Sequence, residues 1–258
     1  MTEYPGTVEE RNRRLAHAGV ARAETLLAAN YGMSRQEAFD LLRRTSQRFN
    51  IKLHTLAETA ARMPAPEAGG RVPQRQYAAA PPVPAVQARG ERLGSDSAVL
   101  KAALHRTLGI TGARMGNVQL VENGLLRIEK HTGLNRRFTD YFAFIETATT
   151  SCGQAAEESR QITVKDVAAS DTFDETSRLT ILQTGSRACH SVPLVGLDGS
   201  VVGMISSHHE QTLHGLTEAQ LTALEQVGSQ VGRWLSWHRD TAVRIALDHL
   251  HTSVAHRN

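Results

Sequence analysis

Cysteine is nearly absent from this chain of 258 residues: only Cys152 and Cys189 occur, far apart and without C-x-x-C spacing. That excludes a disulfide framework and a cysteine-based zinc site, and both are expected as small buried hydrophobes. Long apolar runs are missing too, and the opening MTEYPGTVEERNRRLAHAG has no apolar stretch of the kind a secretion signal needs, so a cytoplasmic protein without membrane attachment is expected. Motifs of catalysis are also lacking. There is no P-loop, no G-x-S-x-G elbow and no acid pair tied to a glycine-rich phosphate loop, so no catalytic residue is assigned and an enzyme is not expected.

What is present is unevenly spread. The formal net charge is +3. Residues 1–63 carry 10 Lys/Arg against 7 Asp/Glu, residues 64–95 carry 4 against 2, and the remainder carries 15 against 17. A basic head on a neutral or slightly acidic body fits a polyanion partner, although an ordinary solvated surface gives the same balance. Six of the eight prolines fall between Met63 and Ser95, a stretch with hardly any large aliphatic residue. It is expected to be a disordered, partly polyproline-like linker over 64–95.

Ahead of the linker, residues 8–63 read as three short helices. Ala16, Val20, Ala23 and Leu27 recur at steps of four and three and form a seam suited to dimerisation or to packing inside the module. Gly32 breaks the first helix, and Ser34-Arg35-Gln36-Glu37 has the form of a capping box that starts the second. Ala38, Leu41, Leu42 and Thr45 then occupy its inner face at i, i+3, i+4 and i+7. Leu53, Leu56, Ala57 and Ala60 mark the third helix, which Pro64 ends.

Beyond the linker, residues 96–240 read as an α+β domain. One helix covers Asp96 to Leu108, and strands are predicted at 116–122, 125–130, 161–167, 188–195 and 200–208. Asn123-Gly124 and Leu197-Asp198-Gly199 are hairpin turns. Thr217 and Gln220 form a second capping box, from which a long helix is expected to run towards Leu250 with Leu221, Leu224, Gly228, Val231 and Leu235 at heptad-like intervals. Leu224 and Val231 are its dimer candidates, and residues 241–258 are read as its end and tail.

Arg43, Arg44, Gln47, Arg48 and Lys52 place four cations and an amide within ten residues. The guanidinium fork donates paired hydrogen bonds to phosphate, and its face stacks on unpaired bases. Taken alone, such a run is more often a plain solvated face, and the segment's aromatics, Phe39 and Phe49, read as core. The string from Gly32 to Ala57, GMSRQEAFDLLRRTSQRFNIKLHTLA, closely resembles the core of the ANTAR family. The resemblance covers about residues 15–62 and implies a three-helix RNA-binding module, usually with a dimerising helix before it, that recognises paired stem-loops in nascent transcripts and prevents a terminator from forming. It places Arg43, Arg44, Ser46, Gln47 and Lys52 towards RNA, and Ala38, Leu41, Leu42, Leu53 and Ala57 in the core. Two departures stand out. Glu24 and Thr25 replace the family's usual lysine-glycine pair, and the module precedes its companion domain instead of following it.

Residues 116 to about 237 resemble a GAF domain, in Ser151-Cys-Gly-Gln-Ala, in Ile162 to Phe173, and in Ser191 to Ser206. That resemblance implies an antiparallel sheet between helices, a pocket for a small molecule whose lining is unassigned, and terminal helices that pair in dimers. His190, His208, His209 and His214 fall close together, but His208 and His209 are neighbours on a strand end and point to opposite faces. They are read as surface or hydrogen-bonded residues, with no metal site and no cofactor.

The expected whole is a mixed fold, a helical bundle joined by a flexible linker to an α+β domain. Its expected function is homodimeric, GAF-controlled antitermination through RNA stem-loops, with a small molecule or protein partner at the sensor. A DNA-binding regulator, or a sensing scaffold whose first module does not bind RNA, remains the alternative.

Overall fold

A computed structural model describes residues 5–63, 78–87, 93–145, 153 and 158–255. Cys152, most of the Ser151-Cys-Gly-Gln-Ala string and most of the 64–95 segment lie outside these residues. The chain divides into two compact units, one of residues 1–80 together with 237–258, the other of residues 81–236.

The first unit holds α1 (Pro5–Tyr31), α2 (Arg35–Phe49) and α3 (Leu53–Arg62). The capping box forms as the sequence predicts: Glu37 N–H donates to Ser34 Oγ at 3.2 Å, and Ser34 N–H donates to Glu37 Oε2 at 2.8 Å. The predicted inner face is also present, since Ala38, Leu41, Leu42 and Thr45 are the buried residues of α2. Three short helices bury too little surface to be secure alone. Here a fourth completes them. Helix α8 (Arg244–Ala255), from the far end of the chain, contributes Ala246, Leu247, Leu250 and Val254, with Val243 just before it, to one core with Ala23, Leu27, Ala38, Leu41, Leu42, Ile51, Leu56, Ala57 and Ala60.

Residues 241–258 were expected to end the sensor's helix, so their place in the first unit is a correction. The predicted long helix is not uniform either. Helix α7 (Glu218–His238) gives way to a wide π turn at Arg239–Val243, where Thr241 Oγ1 donates to the Trp237 carbonyl at 2.6 Å, and α8 follows. A threonine bonded to the carbonyl four residues back loosens a helix at such a point.

In the second unit, six strands form one antiparallel sheet in the order β3-β2-β1-β6-β5-β4. They are β1 (Met115–Glu122), β2 (Leu125–Thr132), β3 (Phe144–Ile145), β4 (Ile162–Val164), β5 (Ala188–Val195) and β6 (Val201–His209). Asn123 and Gly124 both take positive φ, 51° and 79°, as the tight β1–β2 turn requires. Helix α4 (Asp96–Thr111) packs on one face, where Leu104 and Leu108 close over Gly116 of β1. Helix α7 lies on β5 so closely that a Cβ at Gly232 would stand 2.3 Å from the Val195 carbonyl oxygen, and only glycine fits. Helices α5 (Arg136–Tyr141) and α6 (Glu175–Gln183) supply Phe138 and Ile181 to the core on the other face, with Met115, Leu126, Cys189 and Met204.

Part of the expected linker is ordered. Val83 and Val86 are buried, and Ala85 N–H donates to Gln230 Oε1 of α7 at 2.8 Å. The two valines and this hydrogen bond hold the piece, against the disorder its prolines suggested.

Leu250 is fully enclosed in the four-helix core. A Leu250→Ala variant is expected to lose about 2–5 kcal/mol of stability in the first unit, measured by urea denaturation. Loss below about 1 kcal/mol, the size of an ordinary surface change, would show that α8 is not part of that core.

Candidate nucleic-acid interface and buried polar site

Helix α2 turns one side to its core and the other to solvent. Arg43 and Gln47 stand four residues apart in one column, Arg44 and Arg48 in the next, and all four are exposed. The Arg43 side chain keeps 51% of its surface while one guanidinium nitrogen contacts Asp40 Oδ1 at 3.3 Å. An exposed pair of this kind is weak and readily exchanged for a phosphate. Asn50 ends the helix in the left-handed region with φ 51°, and Ile51 N–H donates to the Ser46 carbonyl at 3.0 Å. Lys52 follows at once, half-buried, as the N-cap of α3.

Ser46 differs in kind from its neighbours. Its hydroxyl donates to the Ile51 carbonyl at 2.6 Å, so it fixes the turn that carries Lys52 and is not held out towards a partner. Thr25, one of the departures from the family string, accepts Arg35 Nη2 at 3.0 Å and donates to the Ala21 carbonyl at 2.9 Å, which ties α1 to the start of α2.

The expected dimer seams need correcting. Ala23 and Leu27 are enclosed in the four-helix core, and Leu224 and Val231 are fully buried in the second unit, so these four side chains are already used within one chain. Ala16 and Val20 remain half-buried on α1.

Helix α8 brings two histidines to the helical unit. Tyr31 and His251 form a hydrogen bond from phenol to ring Nδ1, and burial pushes the tyrosine pKa up and the histidine pKa down. His249 lies against Phe49 with ring centres 5.3 Å apart, and its pKa is lowered by desolvation and then by the nearby Arg48 charge.

In the second unit, polar residues line the face that α5 and α6 cover. Asn117 pairs with Ser206, Ser206 with Ser191, and Cys189 with His208, so all project to that side. His208 Nε2 lies 3.2 Å from Asn117 Oδ1, and Nδ1 lies 3.1 Å from Ser186 Oγ. Nε2–H of the neutral ring donates to the amide oxygen, and Nδ1 faces the Ser186 hydroxyl, whose proton also reaches the Ala188 carbonyl at 3.2 Å. His190, on the opposite face, is matched in the same way by Gln161 Oε1 at 2.9 Å and Thr163 Oγ1 at 2.8 Å. The two histidines therefore do not converge. Gln119 also belongs to the polar face, opposite Met204, and is 0% exposed with neither amide atom hydrogen-bonded among the described residues.

Sequence reasoning missed the pairing of α8 with α2 and the polar row. The second left a signal, because Asn117 and Gln119 alternate with apolar residues on a strand buried on both faces. The first left none, since it joins segments about two hundred residues apart.

Burial lowers the pKa of His208 to about 3 and of His190 to about 4, with the His209 charge as a smaller cause. Both stay neutral when folded, while an unfolded histidine takes up a proton near pH 6.5. Their contribution is complete above that pH and is lost as pH falls towards 4 and then 3, by about 1.4 kcal/mol per pH unit for each ring. Stability between pH 7 and 4 is therefore expected to fall, and to fall less in a His208→Gln variant; parallel pH profiles would contradict this. An unpaired buried amide costs about 1–3 kcal/mol, so Gln119→Met is expected to stabilise the ligand-free chain by that amount in thermal unfolding. A destabilised Gln119→Met variant would mean that the amide is satisfied.

Two family models match the chain, the ANTAR domain over residues 10–59 and the GAF domain over residues 95–236. No curated protein matches. Among solved structures, a GAF domain/HD domain protein from Geobacter sulfurreducens is similar with a TM-score of 0.49 and 15% identity, over 58% of this chain and 99% of that one. The GAF domain of an Acinetobacter phosphoenolpyruvate-protein phosphotransferase gives 0.48 and 12%, over 78% and 94%. Free methionine-R-sulfoxide reductase from Neisseria meningitidis, in complex with its substrate, gives 0.45 and 19%, over 59% and 81%. No helix among the described residues is long and apolar enough to cross a membrane. With more than half of its length matched by one model and its basic helices by the other, the chain belongs to the GAF domain family and carries an ANTAR domain ahead of its GAF domain.

Proposed function

We propose that this chain is a cytoplasmic RNA-binding regulator of transcription termination and not an enzyme, gripping stem-loops through Arg43, Arg44, Gln47 and Lys52 with Ser46 as the residue that fixes their turn. The observation that carries this reading is the arrangement of Arg43, Gln47, Arg44 and Arg48 in two adjacent exposed columns, on the side of α2 away from its core. Guanidinium groups so placed meet a phosphate backbone with paired hydrogen bonds and lay their planes on looped-out bases. A rigid helix holds them in register, so little ordering is needed on binding. Two hairpins call for two copies of the module, and Ala16, with the part of Val20 not packed on its own core, is the seam left to bring them together.

The GAF domain is the controlling half. Asn117, Gln119, Ser191, Ser206 and neutral His208 include no formal charge, and Phe138, Met115 and Met204 surround them with apolar surface. This chemistry suits a small uncharged ligand with both a donor and an acceptor, which would answer the unpaired amide of Gln119. The chain passes between the two units at 80–81 and again at 236–237, which gives such a signal two covalent routes.

A double-hairpin RNA titrated with the wild type and an Arg43→Ala, Lys52→Ala variant tests the RNA reading. Tenfold or greater weakening is expected, with the slope of log affinity against log salt reduced by about 2. Equal affinity for both proteins, or tighter binding of duplex DNA at matched salt, would overturn it.

A further inference from the structure

We propose that Arg48 and Phe49 of α2 and His249 of α8 form a platform on which one unpaired base of the RNA loop stacks, so that the chain's last helix is part of the RNA-binding surface. The inference rests on the RNA reading above and adds to it a helix, α8 with His249, that lies outside the residues matching the ANTAR domain.

Three observations meet here. The rings of Phe49 and His249 lie 5.3 Å apart with planes tilted by 54°. The Arg48 guanidinium carbon lies 6.0 Å from the centre of the Phe49 ring. Arg48 is exposed, and Phe49 and His249 are half-buried, so the cluster borders solvent beside the column of Arg44. Phe49 is thus not wholly committed to the core that the sequence suggested for it. A planar cation and two aromatic rings are the groups on which unpaired bases stack.

The platform is held firmly. Leu247 and Leu250 flank His249 in sequence and anchor α8 in the four-helix core, and Ser253 Oγ donates to the His249 carbonyl at 2.7 Å. A ring carried by a docked helix loses little freedom when a base settles on it. Neighbouring Arg43, Arg44 and Gln47 would hold the phosphates and orient the loop, while the rings take the base without regard to its hydrogen-bonding edge. Sequence preference at that base is therefore expected to be slight.

The test uses the full chain and a double-hairpin RNA carrying 2-aminopurine at each loop position in turn. Wild type is expected to quench the fluorescence at one loop position on binding. His249→Leu keeps the helix and the apolar contact with Phe49 but removes the π face. It is expected to bind about 5- to 50-fold more weakly, to lose the quench and to keep the wild-type salt slope. His249→Phe is expected to restore affinity and quench together. Wild-type affinity and quench in His249→Leu, alongside weakened binding by Arg43→Ala, would overturn the platform and leave the RNA reading standing. Failure of His249→Phe to restore a lost quench would also overturn it, since phenylalanine supplies a π face on which the base would stack. Absence of RNA binding by the wild type would overturn both.

Discussion

The seating of Leu247, Leu250 and Val254 against α2 and α3 is the contact on which the basic face of α2 depends. Three helices of about 55 residues have more surface than they can bury, and their entropy of ordering is close to what their own contacts return. A fourth helix from the same chain supplies the missing apolar area without recruiting a second molecule. Because Ala38, Leu42 and Thr45 are held inward by this core, the arginines on the other side of the same helix have nowhere to point but outward. Position in the core and exposure of the cations are therefore one fact seen from two sides.

The GAF domain follows a different logic. Its sheet is covered on both faces, so polar side chains on the strands must be satisfied or leave a debt of desolvation. His190 and His208 are satisfied as neutral rings, each with a partner for either nitrogen. Gln119 is the exception among the residues of that face. Among the described residues neither atom of its amide has a partner, and that is the one place on this face where the desolvation cost stands uncompensated.

Much of this was legible from the residues. The Ser34 capping box, the inward face of α2, the Asn123-Gly124 turn and the limits of β5 follow from local rules of capping, periodicity and turn chemistry, and each matches the observed element. What escaped was non-local. Residues 244–255 have an apolar stripe that fits equally well as the continuation of the preceding helix, and only the fold decides which core it enters. The same ambiguity misassigned Ala23, Leu27, Leu224 and Val231 to a seam between copies, because a heptad-like pattern does not say whether its partner lies in the same chain. Val83 and Val86 were hidden by the prolines around them. Of the candidate interface, the cations were readable and the aromatic partner of Phe49 was not, since His249 reaches it only through tertiary packing.

Photocrosslinking with a 4-thiouridine-labelled double-hairpin RNA, followed by peptide mapping on the full chain, reads directly whether α2 and α8 meet the RNA together. Adducts are expected in two peptides distant in sequence, one within residues 35–52 and one within residues 244–255. Adducts confined to residues 95–236, or none in either helical peptide, would contradict it.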